Sequence, residues 1–432
     1  MSSDVFSKDE KYRILSFTKL EPIAVVGGHG ATLRDMEGKE YLDCFAGISV
    51  VNAGHCPPKV VKAVQDQAEK LIHYGPYVYH SPVVTELAER LAGVAPKGLV
   101  KTFFGNSGAE ANETAVKLAK KFTKKQEMVA LECSFHGRTV GTLSITGQSK
   151  RRRYDMGPYL SGVSFSAAAY CYRCPFEKEY PSCGVLCARR LEDVINYHSS
   201  DDVAALIAEP IMGEGGIIVP PPEYFKILKK ILDTHGSLLI VDEVQSGFGR
   251  TGKMFGIEHY GVTPDILTMG KGIAAGFPLS ACIARSDVGD SLQPGDHLST
   301  FGGNPVCCAA ALANLDIFKE QKLVEASAKK GEYLVKRFKE LMEKHPFIGD
   351  VRGRGLMVGV ELVKDRKTKA PAAEETGKLK EAMRKRGVLV GTGGVKSCVI
   401  RFQPPLVITT EELDRAVAVM GEELGRIEKG AA

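Results

Sequence analysis

Between residues 99 and 284, short apolar runs alternate with amphipathic helical stretches, and this alternation most narrows what the chain can fold into. The runs are Leu99–Phe104, Met128–Glu132, Val203–Ala208, Ser237–Asp242, Asp265–Met269 and Leu279–Ala284, each bounded by Gly, Pro or charged residues. Their near-continuous apolar character predicts strands buried on both faces. Between them, Ala111, Ala115, Leu118, Ala119 and Phe122 recur at helical spacing, as do Phe225, Leu228, Ile231 and Leu232 after Pro221-Pro222. Those stretches predict helices covering a sheet, so the fold class is α/β.

After about residue 318 the pattern changes to a long charged helix over 323–345, then Gly355–Val363, a further helix and Gly387–Val390. This reads as a smaller α+β unit. Short strands around Gly27–Gly30 and Asp35–Tyr41 are expected to pack with it. The chain therefore divides into residues 1–56 and 319–432 as two parts of a small domain, with 57–318 as the large one.

The chain has 432 residues, 44% of them apolar, enough for a large core and too many for a disordered chain. Lys plus Arg number 57 and Asp plus Glu 52, and a net charge of +5 argues for no nucleic-acid partner. The one basic run, Lys150 to Arg153, reads as a solvated loop. No stretch approaches the roughly 18–20 apolar residues that span a bilayer, and Met1 to Glu10 lacks the apolar core of a signal peptide. A cytoplasmic protein with no membrane partner is expected. Seven of the eleven cysteines are scattered or lie in apolar surroundings, whereas Cys171, Cys174, Cys183 and Cys187 cluster.

Three local signals carry chemistry. In Phe104-Gly105-Asn106-Ser107-Gly108 a strand turns into a helix, whose first N–H groups and Ser107 hydroxyl could hold a phosphate; a plain turn and helix cap fits as well. The strand ending at Asp242 delivers a carboxylate to the edge where open α/β sheets bind ligands. It could meet a metal, a sugar hydroxyl or a protonated ring nitrogen. Lys271 follows a third strand between Gly270 and Gly272, where partial desolvation would lower its pKa and suit it to a Schiff base.

With these three in order, the sequence resembles the class III (omega) aminotransferases, fold-type-I enzymes that use pyridoxal 5′-phosphate (PLP). The resemblance runs from Tyr41-Leu42-Asp43 and Asn52-Ala53-Gly54-His55 through Gly353-Arg354-Gly355 to Arg401. It is greatest to 4-aminobutyrate aminotransferases, with acetylornithine and ornithine aminotransferases next. It implies a large domain with a mostly parallel central sheet and a small domain built from both termini. It also implies that Lys271 holds the cofactor as a Schiff base and that Asp242 keeps the pyridine nitrogen protonated. Ser107 and Gly108 would hold the phosphate, Phe135 would stack on the ring, and Gln245 would contact the ring oxygen. Thr300 matches the threonine that reaches the neighbouring subunit's phosphate, which implies a homodimer, or a dimer of dimers, with shared sites. His136 stays outside this set as a loop support.

The substrate side follows from the same resemblance. Arg401 matches the arginine that grips an α-carboxylate, and Arg138 the one that takes the carboxylate of an ω-amino acid. Glu209 and Glu214 lie in Ala208-Glu209-Pro210-Ile211-Met212-Gly213-Glu214. Glu214 would neutralise Arg401 when the donor has no α-carboxylate, since an unpaired buried charge is costly. Ile48 matches an apolar wall of the pocket, although ordinary core is its plain reading.

The expected function is transfer of an amino group from a 4-aminobutyrate-like donor to 2-oxoglutarate or a similar oxo acid, with no metal in the site. Alternatives are an acetylornithine or ornithine aminotransferase, or a PLP racemase, aminomutase or decarboxylase of the same fold. Met212 departs from the glutamine common at that position, and Arg138 also occurs in acetylornithine enzymes. A nucleotide-binding reading of Gly105–Gly108 lacks the Gly-Lys-Ser/Thr of a P-loop. The cysteine spacing Cys-x2-Cys-x8-Cys-x3-Cys admits a zinc clip or a disulfide, but reduced packed thiols fit it better.

Overall fold

The structure is a computed structural model that describes residues 2–16, 20–148 and 155–430. The basic run from Lys150 to Arg153 lies outside the described residues. Near the N-terminus, β1 (Val25–His29), β2 (Thr32–Asp35) and β3 (Glu40–Asp43) form an antiparallel meander. The central strands are β4 (Leu99–Gly105), β5 (Glu127–Leu131), β6 (Val163–Ser166), β7 (Val203–Ala208), β8 (Leu238–Asp242), β9 (Ile266–Met269) and β10 (Ser280–Arg285). The C-terminal strands are β11 (Ile348–Arg354), β12 (Met357–Asp365), β13 (Ala370–Pro371), β14 (Val388–Leu389), β15 (Gly391–Gly393) and β16 (Val399–Phe402).

The seven central strands make one sheet in the order β4-β10-β9-β8-β7-β5-β6. From β9 to β6 all neighbours are parallel, and only β10 runs against the rest. The carboxyl ends of β4, β5, β7, β8 and β9 therefore share one edge. Side chains alternate across the sheet as its pleat requires. Leu238 and Ile240 pack with Ala115, Leu118 and Ala119 of the helix Gly108–Thr123 on one face, and Leu239 and Val241 join the larger core on the other. The helix Tyr224–Thr234 buries Tyr224, Phe225, Leu228 and Leu232 completely on that second side, worth about 1.5–3 kcal/mol for each aliphatic or Phe side chain.

The six predicted strands stand within one residue of their expected ends. The sheet's edge strand β6 went unforeseen because its four residues are mostly half-buried and carry no continuous apolar run. The hairpin expected around Asp35–Tyr41 is that of β2 and β3, with residues 36–39 as its turn. Asp35 Oδ1 accepts from Glu37 N and Lys39 N at 3.0 and 2.9 Å and so builds that turn. Strand β12 starts at Met357 rather than Gly355, which turns the chain with φ 51°. The expected strand Gly387–Val390 shortens to β14, which pairs in parallel with β3, a contact between chain ends far apart in sequence. The remaining C-terminal strands form a separate sheet, β11-β12-β16-β15, with β13 on β12.

Candidate active site

Asp242 ends β8 almost sealed from water, and its carboxylate is held on three sides. Val244 N donates to Oδ1 at 3.0 Å, Asn112 Nδ2 donates to Oδ2 at 2.8 Å, and His136 Nδ1 lies 2.8 Å from Oδ2. Asn112 comes from the helix after Ser107, on the sheet face toward which the pleat points Asp242, and its own Oδ1 accepts from Thr268 on β9 at 2.7 Å. Asn112 and Thr268 were not foreseen as site residues. Their signal was weak: a polar residue on the apolar face of a helix, and a threonine inside a buried strand. His136, set aside in the sequence as a loop support, is a direct partner of Asp242.

Lys271 begins the short turn Lys271–Ile273 directly after β9, with φ 40°. Loss of hydration holds its amine below the ordinary lysine range, while Glu214, Asp242 and Glu209 pull the other way and Arg401 adds to the depression. These four charged groups therefore lie within electrostatic reach of Lys271. Gly108 borders the same place: a Cβ on Gly108 would lie 2.6 Å from Val244 Cγ1, and one on Gly270 would lie 3.6 Å from Gly108 Cα. Only glycine at position 108 lets the helix start approach Val244 this closely. Ser107 caps that helix, its Oγ accepting from Glu110 N at 3.3 Å, and remains exposed.

Glu209, just past the end of β7, accepts from Phe135 N at 3.0 Å and from Gly213 N at 2.9 Å. Burial, with Asp242 nearby, pushes its carboxyl up to about 7. Glu214 Oε1 accepts from Arg401 Nη1 at 2.6 Å in a pair with side chains 9% and 2% exposed. Arg401 projects from β16, its Nε is buried without a hydrogen-bond partner among the described residues, and its guanidinium lies 5.2 Å from the Phe45 ring centroid. Gln245 Oε1 accepts from Gln403 Nε2 at 2.9 Å. Arg138 is exposed, with its guanidinium 5.5 Å from the Phe135 ring centroid. Thr300 is exposed on the loop before the helix Pro305–Glu320.

Ile48 sits in a run of left-handed residues, Ala46, Gly47, Ile48 and Ser49, with φ of 51°, 59°, 70° and 61°. Such a run costs roughly 1–2 kcal/mol per non-glycine residue. Asp43 supports it by accepting at Oδ1 from Phe45 N and Ala46 N at 2.8 and 2.9 Å, while Oδ2 meets His55 Nε2 at 2.8 Å. The turn packs against Lys271–Ile273 and leaves Ile48 36% exposed. Phe45 and Gln403 were not expected at the site. Nothing in local spacing reports that Phe45 faces Arg401 or that Gln403 meets Gln245.

The site thus brings together the helix start at Gly108, the buried carboxylate of Asp242 and the amine of Lys271, held below its ordinary range. Residues 17–424 match the family described as Aminotransferase class-III. The chain belongs to this family, whose members use PLP. It is 45% identical over 416 residues to the acetylornithine aminotransferase of Methanosarcina mazei, covering 96% of this chain and 95% of that protein. It is 43% identical over 413 residues to the leucine/methionine racemase of Thermococcus litoralis, covering 95% and 92%. A PLP-bound amine transaminase from an uncultivated Pseudomonas species superposes with a TM-score of 0.91 at 34% identity, covering 96% of this chain and 98% of that one. The fold is thus the fold-type-I architecture with a mostly parallel sheet, and its substrates are small amino and oxo acids. Among the described residues no helix is long and apolar enough to cross a membrane, and no group of His, Cys, Asp or Glu could hold a metal.

Proposed function

We propose that the chain transfers an amino group from an ω-amino acid of the 4-aminobutyrate type to 2-oxoglutarate or a similar oxo acid. The observation that carries this reading is the buried Arg401–Glu214 pair. A guanidinium at that depth is a strong carboxylate site, and a carboxylate partner on a glycine-flanked loop can give way to a substrate carboxylate or neutralise the arginine when the substrate has none.

PLP bound here supplies an electron sink for the carbon whose C–H bond breaks. Asp242, oriented by Asn112, His136 and Val244 N, fits a protonated ring nitrogen. Gly108 N, at the helix start, with the Ser107 hydroxyl fits the phosphate, Phe135 a ring face and Gln245 a ring oxygen. Lys271 binds the cofactor at rest. When free of the cofactor, its depressed amine would take the proton from the amine-bearing carbon and later return one. Arg401 holds the α-carboxylate of glutamate or 2-oxoglutarate, and Arg138 the far carboxylate of the ω-amino acid. Glu209 orients the Phe135 loop, and Ile48 walls the donor side. Thr300, exposed in the single chain, fits contact with a second copy, so the working form is a homodimer, held in the cytoplasm. The division at residues 56 and 318 makes the large part the bearer of Lys271 and Asp242 and the small part the bearer of Arg401.

A second reading is amino-acid racemisation, favoured by the 43% identity to the leucine/methionine racemase. Incubating the PLP-loaded protein with a panel of 4-aminobutyrate, N-acetylornithine, ornithine and L-leucine, each with 2-oxoglutarate, separates the two. Glutamate formed mole for mole from 4-aminobutyrate supports transfer from an ω-donor. Appearance of D-leucine without oxo acid consumption supports racemisation, and glutamate from N-acetylornithine alone replaces the donor.

A further inference from the structure

The segment from Tyr170 to Cys187 contributes nothing to the site above, yet it holds the chain's one cysteine cluster. Cys171, Cys174, Cys183 and Cys187 all line one small cavity of about 20 Å³. Cys171 is exposed, the other three are half-buried, and none is in a disulfide. The four do not form a metal cage, since among the described residues no three His, Cys, Asp or Glu side chains converge to hold an ion. Burial raises the Cys171 thiol, and Cys183 and Cys174 raise it further. Burial pushes Cys187 up to about 12, with Cys171, Cys183 and Cys174 contributing. Their raised values slow attack near neutral pH, and what favours exchange is placement: four thiols line one pocket, and one of them is open to solvent.

We propose that this cavity is a thiol–disulfide site, in which Cys171 exchanges with a small-molecule disulfide of the glutathione class and a second cysteine of the cavity closes an internal disulfide. In the first step the Cys171 thiolate attacks one sulfur of the reagent. A mixed disulfide forms, and the other half leaves as a thiolate that takes up a proton. In the second step a neighbouring cavity thiolate attacks Cys171 Sγ and expels the remaining half, again as a thiol. Two protein thiols are oxidised by two electrons, and one reagent disulfide is reduced to two thiols.

The cluster is tied to the substrate arginine's partner by a continuous polar chain. Tyr170 and Arg173, next to Cys171 and Cys174, both donate to Glu361, which is fully buried on β12, Arg173 Nε at 2.5 Å. Arg352 Nη2 lies 2.8 Å from Glu361 Oε2. The same guanidinium donates to Gly216 O at 2.6 Å and Ile217 O at 2.9 Å, on the loop that carries Glu214. Closing a disulfide at Cys171 therefore displaces groups that hold this loop. On the functional reading above, it changes how readily Glu214 leaves Arg401.

The test treats reduced, PLP-loaded protein with oxidised glutathione and maps disulfides by peptide mass spectrometry without reduction. The expected result is a link from Cys171 to another cysteine of the cavity, lighter by two hydrogens and reversed by dithiothreitol. Exposed Cys56 lies outside the cavity and should carry only a glutathione adduct. Cys171→Ser should abolish the link and Cys56→Ser should leave it. Glutathione adducts on Cys56 without an internal link in the cavity would overturn the proposal, as would one tightly bound zinc per chain. This mapping does not depend on the substrate, so its failure leaves the functional reading standing. With the disulfide formed, KM for a carboxylate substrate should shift at least about threefold in the parent and not in Cys171→Ser, and an unchanged KM would overturn the link to Glu214.

Discussion

Arg401 on β16 and Glu214 on the loop after β7 lie 187 residues apart in sequence and meet in a nearly dry pocket, Nη1 2.6 Å from Oε1. Removing one member of such a pair strands the other's charge, at a cost of about 3–5 kcal/mol. Glu214→Ala should lower the melting temperature and weaken the half-reaction with an ω-amino donor by about tenfold or more, while the half-reaction with glutamate, whose carboxylate replaces Glu214, changes less. Single-turnover spectra with each donor measure both. Equal losses on the two donors would remove the exchange role from Glu214.

Four charged groups lie within electrostatic reach of the Lys271 amine. Lys271→Ala should abolish the absorbance of lysine-bound PLP and multiple turnover, with the fold retained by circular dichroism. Normal turnover in this variant would sink the assignment.

His136 and Asn112 hold Asp242 Oδ2 from two directions at 2.8 Å each. A hydrogen bond to a charged group is worth about 1.5–3 kcal/mol, so His136→Phe should weaken PLP binding by roughly tenfold to a hundredfold. Equilibrium dialysis against PLP gives the number, and an unchanged affinity would return His136 to a loop support.

Gly108→Ala would push a methyl group to 2.6 Å from Val244 Cγ1. Overpacking of this kind costs about 1–3 kcal/mol, and the displaced helix start should also lose PLP affinity. Adding Val244→Ala should restore much of the stability. A double variant no better than the single one would show that the contact is not the cause.

Glu243, beside Asp242, is fully buried and accepts from Ser246 Oγ, Gly256 N and Ile257 N, yet burial raises its carboxyl to about 7 from the ordinary 4.5. Below pH 4.5 it is protonated in both states. Between 4.5 and 7 the unfolded chain ionises it first, so stability falls as pH rises, by about 3 kcal/mol in total, and levels off above 7. Urea unfolding at pH 5 and pH 8 should show a smaller drop for Glu243→Gln than for the parent. An identical drop would mean that Glu243 ionises normally in the fold.

The parts of the site that were legible in the chain are those carried by local pattern. Lys271 and Asp242 end apolar runs, and Ser107-Gly108 opens a helix, so each announces its position within a few residues. Asn112, His136, Phe45 and Gln403 announce nothing. Each matters through a partner 106 to 356 residues away, on another element. Edge strand β6 escaped notice, and the expected strand Gly387–Val390 shortened to two-residue β14, for a related reason: pairing, not composition, sets where these strands lie.

By itself the sequence determined the α/β class, the order of the central strands' residues along the chain, and a short set of charged candidates at the strand ends. It could do so because burial on both faces of a sheet demands continuous apolar runs that charged residues interrupt only at the strand ends. The tertiary structure alone decided that Arg401 and Glu214, a pair the resemblance implied, meet at 2.6 Å in a nearly dry pocket, that His136 serves Asp242, and that four cysteines share one cavity. Those relationships depend on distances between elements, which follow from how the sheet and helices pack and leave no periodicity in the chain.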